Sequence, residues 1–127
     1  MKELTRAEEQ VMQILWKLEK SFVKDIVEQM DEPKPAYNTV STIIRILEKK
    51  GYVDHKAYGK TFEYFPVVSK EKYSKITLQS VMNGYFNNSI KKMLSFFSSH
   101  ENLSVQDLEK IRNYIDEEIE LKKKQNG

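Results

Sequence analysis

The stretch Tyr37-Asn38-Thr39-Val40-Ser41-Thr42-Ile43-Ile44-Arg45-Ile46-Leu47-Glu48-Lys49-Lys50-Gly51 decides how this chain is read. On a helical wheel Val40, Ile43, Ile44 and Leu47 share one face, while Asn38, Ser41, Thr42, Arg45 and Lys49 share the opposite one. The polar front carries amide, hydroxyl, guanidinium and ammonium groups, which can hydrogen-bond base edges and phosphates together. A helix of this kind fits a DNA major groove. Gly51 is a natural C-terminal stop. Beyond it Tyr52–Ala57 and Thr61–Val67 are strand-like, and Tyr58-Gly59-Lys60 supplies a tight turn, so the two runs predict a hairpin wing. Pro66 lies at the far end of the second run, where the loss of a ladder N–H is tolerable.

Upstream, Thr5-Arg6-Ala7-Glu8 fits a capping box that starts a first helix. Val11, Ile14, Leu15 and Leu18 give it an apolar stripe, with Trp16 expected in the core. Ser21 to Met30 reads as a short second helix, with Val23, Ile26, Val27 and Met30 turned inward. Asp31-Glu32-Pro33-Lys34-Pro35 is a turn, because prolines two apart stop a helix and restrict the residues before them. Three helices followed by a hairpin make a winged helix-turn-helix.

Past Ser69 the pattern is helical again. Ile76, Leu78, Val81, Met82, Tyr85 and Phe86 form a wide apolar face. Asn87-Asn88-Ser89 marks a bend, with Ser89 placed to cap the next piece, which Ile90, Met93, Leu94 and Phe97 continue. Ser98 to Asn102 reads as a break. Ser104-Val105-Gln106-Asp107 is a second capping box, and Leu108, Ile111, Ile115 and Ile119 follow as a helical seam. Lys122 to Gly127 is expected to fray. The predicted fold is mainly α with a small β-hairpin: a winged helix-turn-helix DNA-binding domain over residues 1–69 and a helical dimerisation domain over residues 70–127. The tail has more apolar side chains than one thin layer can bury, so a symmetric homodimer is expected, using Leu78, Met82, Tyr85, Phe86, Leu108, Ile111, Ile115 and Ile119.

Composition agrees with this and excludes other classes. The 127 residues include 39% hydrophobic and 31% charged side chains and no cysteine, which removes disulfides, zinc ribbons and thiolate nucleophiles. The N-terminus reads as polar rather than as a signal peptide, and no apolar run approaches the ~20 residues of a membrane span, so a cytoplasmic location without membrane attachment is expected. Net charge is only +2, but its distribution is uneven. Lys34, Arg45, Lys49, Lys50, Lys56 and Lys60 face only Glu48 and Asp54 between positions 34 and 60. Acids dominate from Glu101 to Leu121. A local basic stretch on one lobe and an acidic helix on the other suit a DNA-binding lobe with a separate assembly lobe.

With its elements placed, the sequence resembles the penicillinase-repressor family of winged-helix regulators, which includes the methicillin-resistance and copper-transport repressors. The matching residues are Leu4-Thr5, Ala7-Glu8, Val11-Met12, Leu15-Trp16, Asn38 to Leu47, Lys49-Lys50-Gly51, Asp54-His55-Lys56, Gly59-Lys60 and Tyr64-Phe65-Pro66-Val67. Asn102-Leu103-Ser104, Asp107-Leu108-Glu109 and Arg112-Asn113 extend the likeness into the tail. The resemblance implies a homodimeric repressor on a palindromic operator. In the antibiotic-resistance members it also implies release through a sensor protease that leads to cleavage within the tail. Two departures stand out. The arginine that the family often has one place before Leu47 is Ile46 here, with Arg45 beside it. The family's asparagine–phenylalanine cleavage dipeptide falls on Phe96-Phe97, without the asparagine. The paired C-terminal cysteines of the copper branch are missing, which argues against copper sensing by thiolates.

The candidate DNA contacts are therefore Asn38, Ser41, Thr42, Arg45, Lys49, Lys50, Lys56 and Lys60, with Phe96 and Phe97 as a candidate cleavage point for a regulatory protease. The lysines are expected to add affinity through phosphate, and the helix front to add sequence choice. His55 and His100 lie far apart in sequence, so no metal site or cofactor is expected. No nucleophile triad or phosphate loop is present, so no enzyme is expected. The alternative function is a winged-helix protein-interaction module without DNA binding, against which the basic stretch weighs.

Overall fold

The computed structural model describes residues 3–100 and 102–126. The first helix, α1, spans Arg6–Leu18 and starts as its sequence requires. The Glu8 amide donates to Thr5 Oγ1 at 3.2 Å, and the Thr5 amide donates to Glu8 Oε1 at 2.8 Å. Two of the orphan N–H groups of the helix start are satisfied in this way. Val11, Met12 and Leu15 point into the core and are fully buried.

The expected second helix is shorter than its apolar pattern suggests. Ser21–Phe22 form a strand, β1, and α2 covers only Val23–Gln29. Ser21 pairs with Tyr64 and Phe22 with Glu63, so the partners of this strand lie far away in the chain. Helix α3 runs Tyr37–Lys49 and ends at Lys50 and Gly51, where φ of +87° suits a residue without a Cβ. Strands β2 (Val53–Tyr58) and β3 (Thr61–Pro66) form the hairpin, with His55 opposite Tyr64 and Gly59 at φ +64° in the turn. The sheet order is β1-β3-β2, so the expected hairpin is part of a three-stranded antiparallel sheet with β3 in the middle.

The core gathers Val11, Met12 and Leu15 of α1, Val23 and Ile26 of α2, and Val40, Ile44 and Leu47 of α3 against Tyr52, Val53, Tyr64 and Val68. Each such side chain contributes about 1.5–3 kcal/mol when fully buried. Trp16 sits at the margin of this core rather than inside it. Its Nε1 donates to the Val68 carbonyl at 2.9 Å, and its ring packs 5.7 Å from that of Tyr73.

Helix α4 spans Lys70–Phe86. The chain divides into two compact units, residues 1–77 and residues 78–127. That division lies within α4, later than the 69/70 boundary expected from sequence, because Tyr73 packs against Trp16 and Tyr52 of the first unit. In the second unit Asn87 and Asn88 both take positive φ, 52° and 58°, and make the bend. Ser89 Oγ then accepts from the Lys92 amide at the start of α5, Ile90–His100. Ser98, Ser99 and His100 belong to this helix, so the break expected at Ser98 begins later. Helix α6, Val105–Asn126, opens with the predicted capping box: the Asp107 amide donates to Ser104 Oγ and the Ser104 amide to Asp107 Oδ2. It continues to Asn126 where fraying was expected; Gly127 lies outside the described residues.

Candidate nucleic-acid interface

Helix α3 presents two chemically opposed faces because its back is fixed. Val40, Ile44 and Leu47 are fully buried and Ile43 packs on the same core. At about 100° per residue, Asn38, Ser41, Thr42, Arg45 and Lys49 fall within one third of the turn on the other side. Asn38, Thr42, Arg45 and Lys49 are exposed, and Ser41 is half-buried. The Thr42 hydroxyl donates back to the Asn38 carbonyl at 2.9 Å, which occupies its proton and leaves its oxygen able to accept. Arg45 Nη2 donates to Ser41 Oγ at 2.9 Å, so the guanidinium lies along the front of the helix. Tyr37, 54% exposed on the first turn, flanks Asn38.

Lys50 does not join this face. Its ammonium lies 2.6 Å from Glu8 Oε1 and 3.0 Å from Oε2, and also donates to the Glu3 carbonyl at 3.3 Å. The Glu8 side chain is only 5% exposed. Burial pushes its carboxyl up, but the hydrogen bond from Lys50, the bonds with Thr5 and the Lys50 charge outweigh burial and hold it below the usual carboxylate value. Lys49 and Lys50 are sequence neighbours, yet one faces solvent and the other is committed to the core margin.

On the wing, Lys56 is exposed on β2 with its Nζ 5.3 Å from the Tyr58 ring centroid, and Lys60 is exposed in the turn. Sequence reasoning missed how helix and wing are joined. His55 Nδ1 on β2 is in close contact with Glu48 Oε1 in the last turn of α3. The His55 ring stacks on Phe62 at 4.2 Å. Glu48 and His55 lie seven residues apart across a helix end, a relation no helical or strand period reveals.

The tail residues singled out from sequence are placed on helix surfaces of the second unit. Leu78, Tyr85, Leu108, Ile115 and Ile119 are exposed, and Met82, Phe86 and Ile111 are half-buried. Phe97 lines a groove of about 530 Å³ with Ile90, Leu94, Leu103, Leu108 and Ile111. Phe96 packs edge-on against Phe86 at 5.6 Å and stacks on His100. Among the described residues no helix is long and apolar enough to cross a membrane.

Three helices, the middle turn, a polar-fronted third helix and a hairpin define a winged helix-turn-helix protein with a helical tail. Residues 4–117 match the penicillinase repressor family, and the chain belongs to that family. It is similar to the methicillin resistance regulatory protein MecI of Staphylococcus aureus strain N315, with 28% identity over 114 residues, covering 89% of this chain and 93% of that one. It is also similar to the penicillinase repressor of Bacillus licheniformis, with 23% identity over 122 residues and 95% of each chain covered. Among solved structures, the DNA-binding domain of the repressor BlaI shares 26% identity, with a TM-score of 0.49, over 57% of this chain and 94% of that one.

Proposed function

We propose that the chain is a transcriptional repressor in the cytoplasm that binds a palindromic DNA operator as a homodimer. The observation that carries this reading is the polar front of α3, held outward by the buried Val40, Ile44 and Leu47. In this reading α3 enters the major groove. Asn38 pairs with an adenine edge, Thr42 meets a thymine, and Arg45 makes a bidentate contact with guanine or clamps phosphate. Ser41 holds Arg45 in place as well as lining the face. Lys49, Lys56 and Lys60 supply phosphate contacts on either side. Lys50 is left out of the contact set because its charge is spent on Glu8. Family membership and the named repressor activity of the relatives support the same reading.

Two tails bury their apolar faces against each other in this proposal, through Leu78, Met82, Tyr85 and Phe86 and the seam Leu108, Ile111, Ile115 and Ile119. Release by a regulatory protease at Phe96-Phe97 needs a further step. Both residues sit within α5, and the Phe96 carbonyl accepts from Ser99 Oγ at 3.1 Å. A protease binds an extended strand, so this helix must open before it is cut.

The test is the triple variant Asn38→Ala, Ser41→Ala, Thr42→Ala, measured on operator and on random DNA. Each base contact removed should cost about 1–3 kcal/mol on the operator and much less on random DNA. Near-wild-type operator affinity with the melting temperature unchanged would show that α3 is not the reading head.

A further inference from the structure

Glu48 and Asp54 are the only carboxylates between positions 34 and 60, a stretch otherwise basic, and His55 is the only histidine in the first unit. The fold draws all three together. One ligand atom from each, the carboxylate oxygens of Glu48 and Asp54 and a ring nitrogen of His55, lies within 4.8 Å of the others. Glu48 comes from the last turn of α3, and Asp54 and His55 from the start of β2. The His55 ring plane is set by stacking on Phe62 and by a tilted contact with Tyr64, with centroids 4.2 and 5.6 Å away. The Asp54 carboxylate is turned back along its own strand, where Oδ1 accepts the His55 amide at 2.8 Å. Both the imidazole and one carboxylate are thus held before any ligand arrives.

We infer that Glu48, Asp54 and His55 form a binding site for a divalent transition cation of the zinc or manganese type, at the junction of the recognition helix and the wing. The donor set decides the class. One imidazole and two carboxylates suit zinc or manganese, and without a thiolate they do not suit monovalent copper. Three protein ligands leave at least one position for water, as in open rather than closed zinc sites. Two carboxylates with a neutral imidazole carry two negative charges, which a divalent cation cancels. The bound ion would link α3 to β2 and cancel the only two carboxylates of the basic 34–60 stretch. Its effect on DNA rests on the repressor reading above; its binding does not.

Calorimetric titration of the full chain with zinc chloride, and separately with manganese chloride, tests the site without DNA. Wild type should take up a single ion per chain. Asp54→Asn keeps the strand hydrogen bond and the side-chain shape, and should weaken binding at least about tenfold. His55→Gln should do the same, and His100→Gln should change nothing. Saturable uptake that survives both Asp54→Asn and His55→Gln, or no uptake up to millimolar metal, overturns the inference. In a gel shift, metal should tighten wild-type binding on operator and random DNA alike and leave Asp54→Asn unaffected. If uptake is as expected but no DNA is bound under any condition, the site stands and the repressor reading falls.

Discussion

Replacing Lys50 with methionine should destabilise the head without touching its DNA-binding face. Among the described residues, the Lys50 ammonium supplies two close hydrogen bonds to the Glu8 carboxylate, at 2.6 and 3.0 Å, and the Thr5 amide supplies another. Removing one partner of a fully buried ion pair costs about 3–5 kcal/mol. Lys50 is 19% exposed, so water recovers part of this, and the cost falls to about 2–3 kcal/mol. That is a large share of the stability of a small domain. The pH dependence carries the sign. In wild type the folded Glu8 carboxyl lies below its ordinary value of 4.5, so its contribution is whole above pH 4.5 and is lost as pH falls through the folded value. Without Lys50 its hydrogen bond and its charge no longer oppose burial, so the carboxyl should rise from its wild-type position. The gap between wild type and Lys50→Met should therefore be widest near neutrality and should close as Glu8 is protonated. Urea unfolding of the full chain at fixed concentration and several pH values measures this, and Glu8→Gln combined with Lys50→Met should recover most of the loss. Lys49→Ala, on the exposed neighbour, should move stability by less than about 0.5 kcal/mol. An unchanged urea midpoint in Lys50→Met, with a loss of DNA affinity matching that of Lys49→Ala, would refute this division of labour.

Lys56→Ala and Lys60→Ala should each lower the slope of log affinity against log salt by about 0.9, equally on operator and random DNA; a loss confined to the operator would mean that the residue reads bases. Ile115→Asp places a charge in the seam of α6 and should shift the chain towards monomer in sedimentation experiments, with operator binding falling alongside. A variant that stays dimeric at low micromolar concentration would place the interface elsewhere.

What the sequence made legible was what is decided locally. The Thr5–Glu8 and Ser104–Asp107 boxes each form within one turn, so four letters suffice to place them. The two faces of α3 follow from helical period alone, and Gly51 and Gly59 mark turns because their φ is positive. What stayed hidden depends on partners distant in the chain. Ser21 and Phe22 continue the apolar pattern of α2, and only the presence of β3 turns them into a strand. Lys50 looks like Lys49 until Glu8, on another helix, is brought beside it. Tyr73 is a like case: it sits on α4 but packs on Trp16 and Tyr52, which no pattern along α4 shows. The α5 end was misplaced because Ser98-Ser99-His100 has the composition of a loop yet continues a helix already begun.

The two-residue strand β1 also bears on the order in which the head assembles. Phe22 and Glu63 are about forty residues apart, and two residues of ladder gain little against the entropy of closing so long a loop. The helices and the β2–β3 hairpin are built from local contacts and form early, while this stitch waits until both are in place. The Ser21 and Phe22 amides should then exchange with solvent through small openings, while those of Val40 to Leu47 exchange only when the whole head unfolds. The wing would thus loosen from the base of α2 well before the recognition helix loses its shape.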